Sequence, residues 1–168
     1  MPLATALMVR ASWTWFAAGL LLGALMVVAR LSGHEEIVWL LRTAHIHILL
    51  VGFGAQWIMG IAHWIYPRRV ASHEPRAQVR ALRVWLFLNL GVALRLVAEP
   101  ALLATGATWT RAAFAAAVGL QVVAGGLFLT LLRGRVWCLL RLRDGYVREA
   151  SLRRALRIVL KGEEWTGS

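Results

Sequence analysis

Acidic residues are scarce in this chain: eight Asp and Glu stand against nineteen Lys and Arg among 168 residues. Charge of either sign is sparse, at 16%, while hydrophobic residues make up 60%. A soluble domain of this length does not need so apolar a composition, which excludes the ordinary globular class. There is one cysteine, Cys138. It permits no internal disulfide, no structural zinc site and no Cys-x-x-Cys-His attachment of a heme. Only four prolines interrupt the chain, and no internal repeat or low-complexity linker divides it. The stretch from Met1 to Val9 is weakly apolar and shows no small-residue cleavage site, so no cleaved leader is expected.

What is present in quantity is apolar sequence in long runs. A bilayer core of about 30 Å takes roughly 20 residues of helix, and four stretches qualify: 12–29, 43–66, 84–103 and 109–132. The second ends at Pro67-Arg68-Arg69, the third carries Asn89, Arg95 and Glu99, and the fourth carries Gln121. Nine Trp residues fit the same class, since Trp favours the membrane–water boundary. The expected fold is all-α: an integral membrane four-helix bundle over 1–142, its short links making neighbouring helices antiparallel.

The basic residues give the bundle a direction. Arg68, Arg69, Arg76, Arg80 and Arg83 crowd the link between spans two and three. Arg133, Arg135, Arg141, Arg143, Arg148, Arg153, Arg154, Arg157 and Lys161 follow span four. The positive-inside rule makes that side, with both termini, cytoplasmic, and places the chain in the inner cell membrane. Basic residues arranged this way meet a lipid surface, and no nucleic-acid partner is implied. In the tail, 143–168, Leu152, Leu156 and Val159 recur among arginines after Gly145. That pattern predicts a basic amphipathic helix on the anionic leaflet.

Ionisable side chains inside a bilayer are costly, so each marks a candidate site. The second span holds His45, His47 and His63, and a neutral imidazole nitrogen is a ligand for heme iron or copper. His45 and His47 differ by roughly 200° around a helix, so they cannot both ligate one heme. His45 and His63 stand 18 residues apart, about five whole turns, which puts them on one face at opposite ends of the membrane. Arg42 precedes His45 by one turn, and Arg95 and Glu99 occupy the same outer half of the third span. Histidine with nearby arginines supplies an axial ligand and cations for porphyrin propionates. Arg95 and Glu99 also have the i,i+4 spacing of a simple ion pair, with the histidines as interhelical hydrogen-bond glue. His63, near the cytoplasmic end, is either a second metal site or an interfacial histidine. His34 and His73 fall in links.

Thr43-Ala44-His45, with Gly60 fifteen residues on and Trp64 and Pro67 at the end, resembles helix II of heme–copper oxidase subunit I. The doublet His45-x-His47 is similar to short oxidase-like and nitric-oxide-response membrane proteins. The likeness covers mainly residues 38–69, with Leu88-Asn89-Leu90-Gly91 to Arg95 as weaker support. It implies that His45, or His47 after the shorter relatives, is an axial ligand of a heme b. The chain departs from the family by stopping after four spans, with no histidine on spans one, three or four. A heme–copper centre is therefore not implied, nor a complete oxidase or reductase.

The expected function is a heme b membrane cytochrome that passes electrons or binds a diatomic gas such as nitric oxide or oxygen. A homodimer would supply a second axial histidine by symmetry. The alternative is an accessory or assembly subunit handling heme or copper for a respiratory-chain partner, with His45 and His47 as copper donors.

Overall fold

A computed structural model describes residues 2–65 and 74–133, the side chains of 74–76 excepted. The Pro67-Arg68-Arg69 stop, His73, Cys138 and the basic tail 143–168 lie outside the described residues. All of the regular structure described is helical. Four helices run Leu3–Leu31, Glu35–Ile65, Glu74–Thr105 and Thr108–Arg133, and each is long and apolar enough to cross a membrane.

The helices outrun the apolar stretches that announce them. The first begins nine residues before position 12, and the second and third begin eight and ten residues before 43 and 84. Helix geometry continues where burial stops, because local signals set the ends. Glu35 and Glu36 sit in the first turn of the second helix, where carboxylates complement the positive end of the helix dipole. Pro75 stands in the first turn of the third, where a missing N–H costs nothing. Gly33 (φ 80°) and Gly106 (φ 61°) adopt the left-handed conformation that closes the first and third helices. The backbone N–H of Gly106 donates to the Leu102 carbonyl at 2.9 Å and that of His34 to Ala29 at 2.8 Å. The first helix is closed at its start from outside. With its amide oxygen turned toward that end, Gln78 accepts from Leu3 N at 2.9 Å and Ala4 N at 3.2 Å. Those are two of the donors that no helix can satisfy within itself.

Glycines set the register between helices. A Cβ on Gly60 would meet Met8 and Val9, one on Gly52 would meet Trp15, one on Gly19 Leu49, and one on Gly23 His45. As the first number climbs the second falls, so the first two helices pack antiparallel along their whole length. The first and third run parallel: Gln78 caps the helix at Leu3 and Ala4, and Trp15 Nε1 donates to Asn89 Oδ1 at 2.7 Å. Gly91 lies against Ala117 and Gln121, and Arg95 against Phe114, which makes the fourth helix antiparallel to the third. Small residues at these crossings let backbones approach closely, the usual source of association energy between membrane helices.

The apolar core gathers at the end carrying the N-terminus. Ala4, Met8, Ala81, Val84, Phe128 and Leu131 form one cluster, with Met59, Ala62 and Trp85 packed against it. Leu21, Val28, Ile58, Val97, Val122 and Leu129 are exposed on the outside. That inverted surface suits a hydrocarbon surrounding.

The second helix is not uniform. Ile48–Ala55 is a π-helical segment between two α-helical ones. Its wider i→i+5 turns change which residues share a face. The buried positions are Ala44, Ile48, Gly52, Gln56, Gly60 and His63. In an α-helix a strict four-residue repeat drifts by about 40° per step; the π-segment turns the stripe back and keeps it against its neighbours. The face shared by His45 and His63, expected from α-helical spacing, does not survive this. His63 lies on the buried stripe, while His45 stands on its flank, half-buried.

Candidate functional site

The site predicted around His45 lies in the half of the bundle nearest the Gly33 and Gly106 turns. Two turns beyond the Trp15–Asn89 bond, the parallel register sets Gly23 between the levels of Arg95 and Glu99. Since His45 rests on Gly23, the imidazole and the ion pair share one depth. The sequence-based expectation that they occupy the same half is met.

His45 meets the first helix through the edge of its ring. A Cβ on Gly23 would come to 3.0 Å of Cε1, so a side chain there would press on the edge of the imidazole. The Nδ1 atom is buried and has no hydrogen-bond partner. A buried polar atom without a partner is rare and calls for an explanation, of which a bound group is one. His47, on the opposite flank of the stripe, is half-buried and differently placed: its Nδ1 lies 2.9 Å from the Thr43 carbonyl, one turn back. A carbonyl can only accept, so Nδ1 is the donor, and in the neutral ring Nε2 then has the lone pair. This is the posture in which a metal-binding histidine is usually held. The two histidines on one turn thus present two different nitrogens on two faces.

Arg95 and Glu99 pair with each other. Arg95 Nε donates to Glu99 Oε2 at 3.2 Å and its Nη2 to Oε1 at 3.4 Å, with the two side chains 13% and 9% exposed. The guanidinium Cζ lies over the Phe114 ring, 5.0 Å from its centre. The i,i+4 ion-pair reading of these residues is what the structure contains. Arg42 is exposed on the second helix. His63 is 2% exposed, deep at the opposite end. His34, a link residue, bonds Glu36 at 3.1 Å on the surface.

Among the described residues no three His, Cys, Asp or Glu side chains converge on one point. A porphyrin asks less of the protein than a bare ion does, since four of its iron ligands are its own and one imidazole suffices. The unpartnered Nδ1 of His45 and the lone pair of His47 Nε2 therefore fit the donor chemistry of a heme.

The structure also brings forward Gln56, which sequence reasoning passed over. It is fully buried, immediately after the π-segment, and neither its Nε2 nor its Oε1 has a partner. Its signal was a lone amide in an apolar span, the same signal that drew attention to Asn89 and Gln121. No family model matches the chain, and no curated protein or solved structure matches it either.

Proposed function

We propose that this chain is a heme b-binding membrane cytochrome with His45 as an axial ligand. The observation that carries the reading is the buried, unpartnered His45 Nδ1, at a close crossing with Gly23 of the first helix. The resemblance of residues 38–69 to helix II of oxidase subunit I names the same residue. His47 turns its free nitrogen to the other flank and is the second candidate ligand. When bound, the iron would carry one electron or a diatomic gas. The chain's own residues hold the ring plane by a fixed imidazole, exclude water with the surrounding apolar helices, and keep cationic Arg42 and Arg95 in the same half for propionates. Arg95 would serve from within its pair with Glu99, which holds the guanidinium in place. The arginine-rich link and tail orient the bundle with both termini in the cytoplasm, which puts His45 in the outer leaflet. A second copy of the chain would supply any further axial ligand.

Absorption spectra of the protein purified from heme-replete cells test this. The expected result is a Soret band with a reduced-minus-oxidised signature, abolished in His45→Ala and retained in His47→Ala. Loss in His47→Ala alone would move the ligand to the other flank. Wild-type protein without a Soret band would remove the cytochrome reading, and copper in its place would favour the accessory-subunit alternative.

A further inference from the structure

We infer that the middle of the bundle holds an internal water site formed by Ser12, Gln56 and Trp85, independent of any cofactor at His45. The three residues come from three helices, and contacts above and below bracket each of them to one level. On the first helix, Ser12 lies between Trp15, which faces Gly52, and the Met8–Val9 pair, which faces Gly60. On the second, Gln56 lies midway between Gly52 and Gly60 on the buried stripe, so it faces the Ser12 turn. On the third, Trp85 lies one turn from Asn89, the acceptor for Trp15, and packs against the cluster containing Met8.

All three carry polar atoms buried from solvent. Ser12 and Gln56 are 0% exposed. The Gln56 amide has neither donor nor acceptor satisfied, and Trp85 Nε1 is also buried without a partner. Ser12 Oγ donates to the Val9 carbonyl at 2.7 Å, which leaves its lone pairs to accept. The group therefore offers two donors, Gln56 Nε2 and Trp85 Nε1, and two acceptors, Gln56 Oε1 and Ser12 Oγ. A water molecule needs two of each. Buried waters typically make about three bonds to polar groups that would otherwise be unsatisfied. Gly52 and Gly60, four residues before and after Gln56, hold the first helix close through Trp15 and the Met8–Val9 pair, which brings Ser12 toward Gln56. A dry alternative would leave an amide and an indole N–H buried and unpaired, which is costly.

The experiment has two arms on the full chain. In nanodiscs, with 15N-labelled Trp, magnetisation transfer from water to each indole N–H is measured, Trp85 being assigned by Trp85→Phe. Transfer to Trp85 is expected, with little to Trp15, whose indole is occupied by Asn89. Absence of transfer to Trp85 would overturn the site. In detergent, Gln56→Leu is unfolded thermally beside wild type. If water bridges the group, removal of the amide strands it and the midpoint falls by about 3 °C. If the site is dry, Leu relieves an unpaired amide and the midpoint rises, which also overturns the proposal. Neither arm depends on heme, so its failure and that of the cytochrome reading are distinguishable.

Discussion

The two ends of the bundle are built on different principles. At the N-terminal end six apolar side chains from three helices close into one cluster, beside which Gln78 caps the first helix and His63 is buried. At the turn end the buried positions are small or polar: Ala29, Ala44, Ala98, Thr110 and Glu99. There His45, His47 and Arg95 are only partly covered. One end is filled by its own side chains, and the other leaves its larger polar groups with bonding capacity to spare. Apolar packing is densest at one end, and the site predicted around His45 lies at the other.

Substitutions at the two ends should separate those roles. The largest effect is expected at the turn end, in Glu99→Ala, which strands the Arg95 guanidinium in a site with 13% of its side chain exposed. Breaking one side of a buried ion pair costs about 3 kcal/mol. The double change Arg95→Leu with Glu99→Leu should recover most of it, as read by denaturant unfolding in detergent. If the double variant is as unstable as the single, the pair is not what holds that end. Next comes Met8→Ala at the filled end, with a loss of about 2 kcal/mol from the cavity it opens and an unchanged Soret band per folded molecule. His45→Ala should do the reverse, leaving the unfolding midpoint of the apoprotein nearly in place while the heme band goes. A heme band weakened by Met8→Ala would show that the two ends are not separable. The smallest effect is expected between them, in Trp15→Phe, which removes the 2.7 Å bond to Asn89. Hydrogen bonds between membrane helices average about 0.6 kcal/mol, so the shift should be slight. A large one would mean that Trp15 holds the first and third helices in register.

Much of the architecture was legible in the sequence, because a bilayer reduces the folding problem to length and polarity. Four apolar runs predicted four helices, and each has one. Their ends were less legible: the first three helices start well ahead of the apolar runs, since Glu35, Glu36 and Pro75 act locally and Gln78 caps the first helix from the third. The ion pair of Arg95 and Glu99 was visible as an i,i+4 spacing. The contact between His45 and Gly23 was not, because no periodicity relates residues on different helices. The π-segment was also hidden. Ile48–Ala55 reads as ordinary apolar helix, yet its wide turns keep His63 on the buried stripe that begins at Ala44, which His45 only flanks.

The amino-acid order alone determined that these helices are long, apolar and sparsely charged, and it put imidazoles and guanidiniums within them. Those are local properties, set by the cost of exposing backbone and charge to hydrocarbon. Which nitrogen is buried and which amide lacks a partner were decided by how the helices meet. A glycine at each crossing and one stretch of wide turn settle those matters through contact between residues far apart in the chain. No single stretch of sequence contains that information.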